Sequence, residues 1–457
     1  MTISKQKIYF LFSLFLIFII LAEIFPLSGD EAYYWNCSKN FDWAYFDQPP
    51  LIIWSSALFS SFYKSSLSVR FPSLIFTFLT FLLLYKWLKK DGIDLFLLTS
   101  FTPVLFFGSF YLSTDKPLSF FYLWSTYILF KINKENSNYL WFLLGTSFGL
   151  GFLSKFPMVL ILPIIFYFSY KKANLFQFFI FSIISMIISS PVFIYAFQNE
   201  WANITFQIFE RHKEKSDILK MFLHLWFPNF ILLGPFLFLK GIYETFKVYE
   251  KNLILFFSGS IPILFFTIAG FKNPGAPHWL LLGFYSLSIL QFKNWNKKEI
   301  KISLFTNIFL IIIFLFVLFF PNLFFKLNPS VFGNFLDFRI LKEEIFKEKL
   351  KDEVLISPSY TIVSLLNYYN GKKDFVYLFN IDKGIHGLSF LFWQKDLKFI
   401  EENYLLISRK KLKEKILEKY FEKVEMKKLK LQNKGISKEF YLYHCKKIKT
   451  REPFYPY

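Results

Sequence analysis

Ser28-Gly-Asp-Glu-Ala-Tyr-Tyr-Trp35 and the nearby Phe41-Asp-Trp-Ala-Tyr-Phe-Asp-Gln-Pro-Pro50 set Asp30, Glu31, Asp42 and Asp47 among aromatic side chains, directly behind a long apolar run. Ionisable groups at a membrane boundary are costly unless paired, hydrated or used, so these acids are candidates for chemistry. A second short stretch, Ser113-Thr-Asp115-Lys116-Pro117, adds a carboxylate and an ammonium between two further apolar runs. If such carboxylates converge, one can take a proton from an attacking hydroxyl, and a pair can hold a divalent cation through oxygen ligands. The competing reading is that the acids merely solvate loops.

Cations and aromatics follow in the later polar segments. Lys155 interrupts two apolar runs, Glu210-Arg211-His212-Lys213 closes a longer loop, and Pro277-His278-Trp279 opens another apolar run. Arg211 through its fork and Lys155 or Lys116 as point charges suit a phosphate. Lys155 also fits as a helix cap, and His278 beside Trp279 fits as an interfacial pair. A carboxylate base opposite such cations suits group transfer from a lipid-linked phosphate, because a departing phosphate needs charge stabilisation more than protonation.

The elements that must position these groups are membrane helices. Of 457 residues, 54% are apolar and 68 are Phe, more greasy side chains than a water-soluble core of this length uses. Runs long enough to cross the hydrocarbon lie near 8–27, 69–88, 93–112, 117–131, 138–154, 156–170, 175–197, 219–240, 253–271, 277–292 and 303–325, about eleven spans. Most read as uninterrupted, with charge gathered at one face. The net charge of +20 comes from lysines spread over short loops and the tail, with no nucleic-acid recognition motif. Cys37 and Cys445 stand alone, which implies neither a disulfide framework nor a thiolate metal site.

Lys5 and Lys7 before the first run put the N-terminus in the cytoplasm by the positive-inside rule. The acidic stretches and the segments holding Lys155, Arg211 and His278 then face outward. Within the first external loop, 28–68, residues 50–62 read as helix lying in the interface. Arg70 reads either as an interfacial anchor or as a phosphate contact. The expected domains are a transmembrane part, 1–325, and a soluble extracytoplasmic α/β part, 326–457. In the latter, strands near 354–357, 375–378, 404–408, 424–431 and 440–444 alternate with helices near 361–369 and 410–420.

Asp30-Glu-Ala-Tyr-Tyr-Trp with Tyr45-Phe-Asp-Gln-Pro-Pro, Val69-Arg-Phe-Pro-Ser, Thr114-Asp-Lys-Pro-Leu118, Leu153-Ser-Lys-Phe156, Trp201–Arg211 and Pro277-His-Trp279 occur in the order of a known family. They resemble the polytopic GT-C glycosyltransferases, in particular the ArnT-like (aminoarabinose transferase-like) branch related to protein O-mannosyltransferases. The tail, with Leu355-Ile-Ser-Pro-Ser-Tyr and His386-Gly-Leu-Ser, is similar to the corresponding family domain.

The resemblance implies an α-helical polytopic membrane protein with a small C-terminal α/β domain. It also implies inverting transfer of a sugar from an undecaprenyl-phosphate type donor, on the outer side of a bacterial inner membrane, to lipid A or another lipopolysaccharide component. Asp30 is then the catalytic carboxylate, supported by Asp115 and Glu31. Lys155, Arg211, Gln48, Lys116, Tyr34 and His278 become donor or phosphate contacts, and Asp47 stands where an acid contacts metal or donor. A divalent metal cation is the one cofactor in question. Two departures from the family pattern are Gln48, where relatives carry a base, and Tyr33, where the aminoarabinose enzymes carry Arg. Alternatives are a protein hydroxyl as acceptor, a lipid-linked sugar flippase or transporter, and a noncatalytic partner in envelope assembly.

Overall fold

The computed structural model describes residues 5–207, 217–272, 275–324, 338–371, 375–381, 384, 386–394, 403–433 and 436–455. The chain folds as two compact units, Met1–Ile24 with Asp42–Ile312, and Phe25–Phe41 with Ile313–Tyr457. Asp30 and Glu31 therefore belong to the second unit, and Asp47 and Gln48 to the first.

The first unit is helical. Lys5–Ile24, Ser66–Leu88, Leu175–Gln198 and Leu253–Gly270 are long and apolar enough to cross a bilayer, as is Lys297–Phe319, which the boundary after Ile312 divides between the units. The protein is multi-pass. Apolar sequence also forms the 20-residue Asp115–Lys134 and the 17-residue Asn138–Ser154 helices. Ser65 and Asn174 each start a helix with a reciprocal capping box, which satisfies amide donors that a bilayer would leave stranded. Asn138–Ser154 and Leu175–Gln198 approach closely at Gly145, where a Cβ would stand 2.8 Å from the Phe181 carbonyl oxygen.

The expectation of mostly uninterrupted spans fails in several places. Residues 93–112 split into Lys90–Ser100 and Pro103–Gly108, because Thr102 caps a new helix whose first residue is Pro103. Residues 156–170 begin as a tight 3₁₀ turn, Phe156–Ile161, before Leu162–Lys172. The expected span 219–240 is bent: Ile218–Leu232 and Pro235–Lys251 meet at 104°. Gly234 at φ 85° makes that corner, and the proline after it starts the next helix.

Arg70 is 2% exposed and its Nη1 donates to the Ala22 carbonyl at 2.9 Å. It ties Ser66–Leu88 to the end of Lys5–Ile24, so it is neither a snorkelling anchor nor a free cation.

The second unit is built on a five-stranded sheet: β1 (Glu353–Ser357), β2 (Tyr377–Leu378), β3 (Asn403–Ser408), β4 (Phe421–Asn433) and β5 (Ile436–Ile448), in the order β2-β1-β3-β5-β4. β1 runs parallel to β2 and β3, whereas β5 is antiparallel to β3 and β4. One face carries the core residues Ile356, Tyr404, Leu406, Tyr443 and Cys445, packed on Phe379, Phe421 and Phe454. All five strands expected from the sequence are present, but the expected helix at 410–420 shortens to Glu414–Leu417. Cys37 and Cys445 are both buried free thiols.

Candidate active site

The acidic stretch after the first span is not an open loop. Ser28 accepts from the Glu31 amide at 3.2 Å, and Glu31 accepts from the Ser28 amide at 3.0 Å, which starts the helix Gly29–Lys39. This helix lies on Tyr360–Asn370. Asn36 donates to the Ser364 carbonyl at 3.0 Å, and Trp35 meets Tyr368 edge-on at 5.1 Å. A Cβ on Gly29 would come within 2.6 Å of Thr361.

That packing carries Asp30 to the domain's Tyr360, whose hydroxyl donates to Asp30 Oδ1 at 2.6 Å. Asp30 is exposed and sits in the first turn of the helix. Its Oδ2 has no partner among the described residues, so one oxygen is oriented and the other can accept a proton. Glu31, in contrast, is fully buried and occupied as a cap. Tyr34 is 8% exposed and packs at 6.1 Å from Tyr33. Tyr33 accepts a hydrogen bond from the Ser389 amide at 3.3 Å and packs on Phe390, so its ring serves the domain's packing.

In the first unit a different group assembles. Lys155 ends the helix Asn138–Ser154, with its amide donating to the Gly151 carbonyl at 3.0 Å. Its ammonium reaches across to Asp115, the first residue of Asp115–Lys134, and meets both carboxylate oxygens at 2.8 and 2.9 Å. His278 Nε2 stands 3.4 Å from Asp115 Oδ2, and Trp279 lies under the Lys155 ammonium at 5.6 Å. Three residues singled out from the sequence, Asp115, Lys155 and His278, thus meet through separate helix ends. Lys155 caps a helix and holds an anion at once.

Lys155 is neutralised by Asp115, so the surplus charge lies elsewhere. Lys116 is only 8% exposed, and its ammonium has no partner among the described residues. A buried cation without a counter-charge pays a desolvation cost that a bound anion would relieve.

The remaining sequence candidates are placed differently. Asp47 is 3% exposed and its carbonyl accepts from Gln207 Nε2 at 3.1 Å. Gln48 closes a turn through its carbonyl, which accepts from the Tyr45 amide at 3.1 Å. Asp42 caps the Trp43 amide at 2.7 Å. Arg211 lies outside the described residues. Among the described residues no three His, Cys, Asp or Glu side chains gather as a metal set.

Comparison with known proteins bears on this arrangement. Over 96% of its length the chain superposes on apo ArnT from Cupriavidus metallidurans, with a TM-score of 0.62 at 10% identity and 97% of that chain covered. The same enzyme bound to undecaprenyl phosphate gives 0.65 at 11% identity, with 97% of this chain and 98% of that one covered. The chain has the fold of ArnT.

The chain has further likenesses in sequence. Residues 47–195 match the family described as dolichyl-phosphate-mannose-protein mannosyltransferase. An uncharacterized protein of Aquifex aeolicus (strain VF5) is 28% identical over 295 residues, 62% of this chain and 67% of that protein. The lipid A galacturonosyltransferase RgtD of Rhizobium johnstonii (strain DSM 114642 / LMG 32736 / 3841) is 28% identical over 141 residues. That match spans 29% of this chain and 30% of RgtD. Sequence reasoning missed Tyr360, which no local signal connects to Asp30. It also read the helix Gly29–Lys39 as loop, although the Ser28-x-x-Glu31 spacing is a capping-box signature.

Proposed function

We propose that the ArnT-like chain transfers a sugar from an undecaprenyl-phosphate type donor to a lipid A type acceptor on the outer face of a bacterial inner membrane. The observation that carries this reading is the exposed Asp30, held through one oxygen by Tyr360 and open at the other. The ArnT structure with undecaprenyl phosphate and the lipid A specificity in the name of RgtD support the substrate classes.

In this reading the acceptor oxygen attacks the anomeric carbon from the side opposite the donor phosphate. Its proton passes to Asp30 Oδ2, the new C–O bond forms, and the old C–O bond breaks with its electron pair leaving on the polyprenyl phosphate. A single displacement inverts the anomeric centre. Asp30 supplies the base, worth about 10²- to 10⁴-fold in rate. In the first unit, Asp115 holds Lys155 and His278 in place, and Lys116 is a buried cation whose chemistry suits an anion. Glu31 acts as a helix cap.

The test is mass spectrometry of envelope lipids from cells with and without the protein, and with Asp30→Asn. One sugar residue on lipid A, lost in the variant at normal membrane insertion, is the expected result. The family match over residues 47–195 favours a second reading in which a protein hydroxyl is the acceptor. In that case lipid A stays unchanged and a glycoprotein loses its sugar. Unchanged glycosylation throughout would leave only a flippase or an assembly partner.

A further inference from the structure

Asn138 meets Gln177, Gly145 meets Phe181 and Gly149 meets Ile188, so the helices Asn138–Ser154 and Leu175–Gln198 run parallel and start together. Beside this seam lies a groove of about 400 Å³, walled by Tyr139, Phe142, Phe176 and Phe179 and running from Asn138 to Ile184. The close approach of the helices sets its floor: a Cβ on Gly145 would lie 3.1 Å from the Ile184 Cβ. All four aromatic rings are exposed, on helices built to face a bilayer. From Phe176 to Ile184 the helix rises about 12 Å, most of the roughly 15 Å of hydrocarbon in one leaflet.

The groove starts at a built polar end. Asn136 Nδ2 donates to the Lys172 carbonyl at 2.8 Å and to Gln177 Oε1 at 3.1 Å, and Gln177 Nε2 donates to Asn138 Oδ1 at 3.1 Å. The buried Trp141 donates to Asn136 Oδ1 at 2.8 Å. These bonds hold the turn after Lys134 against the turn after Lys172, which gathers Lys131, Lys134, Lys171 and Lys172 at one end, with Glu135 the one carboxylate in the two turns. Lys134 lies over the Phe130 ring at 4.4 Å and Lys171 over the Tyr167 ring at 4.6 Å. None of the four is paired with a carboxylate among the described residues, and Asn138 Nδ2 has no partner among them either. Positive charge at one end of a membrane protein sets its orientation and needs no ligand. An apolar groove open to the bilayer is filled by chains, and the lysines at its end select the head those chains carry.

We propose that this groove binds an anionic glycerophospholipid, with one acyl chain along Phe142, Phe179 and Ile184 and the phosphate among Lys134, Lys171, Lys172 and the Asn138 amide. Both parts of the ligand are needed. A zwitterionic lipid fills the groove but carries its own positive charge to the lysines, and a soluble phosphate ester meets the lysines without filling the groove. The site stands apart from the sugar transfer proposed above and holds whether or not that reading does.

Native mass spectrometry of the full-length protein in detergent tests the site without any transfer assay. The probes are phosphatidylglycerol and phosphatidylcholine with the same acyl chains, and glycerol 3-phosphate as a competitor without chains. Phosphatidylglycerol should bind about 10-fold tighter than phosphatidylcholine or more, and glycerol 3-phosphate should not displace it. The triple variant Lys134→Gln, Lys171→Gln, Lys172→Gln should bind the two lipids alike. Ile183→Trp places an indole in the groove and should lose the tight phosphatidylglycerol adduct while the lysines remain. Equal binding of both lipids by the wild type, an undiminished preference in the triple variant, or displacement by glycerol 3-phosphate overturns the proposal. Should the triple variant fail to insert, an undiminished phosphatidylglycerol adduct in Ile183→Trp overturns it equally. A wild-type dimer that Ile183→Trp turns into a monomer would mean that a second copy of the chain covers the groove, and that too overturns it.

Discussion

The Tyr360 hydroxyl donates to Asp30 Oδ1 at 2.6 Å, joining residues 330 positions apart in the chain. One carboxylate oxygen is thereby fixed by the C-terminal domain, while the other stays open to a proton donor. Orientation and basicity come from different elements, so they can be separated by substitution.

On the proposed mechanism Asp30→Asn removes the proton-accepting oxygen and should lower the transfer rate by about 10²-fold or more. Tyr360→Phe keeps the base and loses one charge-assisted hydrogen bond, so about 10-fold is expected. Steady-state kinetics on purified protein, with a polyprenyl-phosphate sugar and lipid A, measures both. A Tyr360→Phe loss as large as that of Asp30→Asn would mean that Tyr360 does more than orient.

Glu31 offers a sharper contrast, because the sequence makes it a catalytic candidate and the structure makes it a cap. Glu31→Gln keeps a side-chain acceptor for the Ser28 amide and should retain activity. Glu31→Ala should cost about 1 kcal/mol of stability, read as a lower Tm. Inactive but fully stable Glu31→Gln would return this residue to the chemistry.

Asp115 and Lys155 form a part-buried pair, their side chains 29% and 17% exposed. Removing one partner strands the other, so Asp115→Asn and Lys155→Met should each destabilise by about 2 kcal/mol. The double variant should fall short of the sum of the two, by about 1 kcal/mol or more. Unfolding in detergent reads all three; strict additivity would mean that the pair contributes nothing.

How much of this was legible in the sequence follows from the range of each signal. Hydropathy is local, so the long apolar helices and the α/β tail could be read directly. Bends at Thr102-Pro103 and Gly234-Pro235 are written in the same residues but hide inside windows that average over them. The helix Gly29–Lys39 was encoded by Ser28 and Glu31, whose acid looked like chemistry because a cap and a catalyst use the same carboxylate. Tyr360 lay beyond reach, since its partner is fixed only when Gly29–Lys39 packs on Tyr360–Asn370.

The corner at Gly234 supplies the last prediction. With φ at 85° the backbone there suits glycine, and a Cβ would stand 1.6 Å from Asn307 Oδ1. Gly234→Ala therefore combines two costs: about 1 kcal/mol or more for the left-handed backbone, and a steric clash that Asn307 must relieve by moving. Asn307 is fully buried and its side-chain amide has no partner among the described residues, so the move has little to lose in hydrogen bonding but little room in which to occur. Adding Asn307→Ala to Gly234→Ala should recover the steric part and leave the backbone part. The double variant should then unfold between wild type and Gly234→Ala in a detergent melt. If the two variants unfold together, the backbone conformation alone sets the cost of this corner, and the contact with Asn307 is incidental.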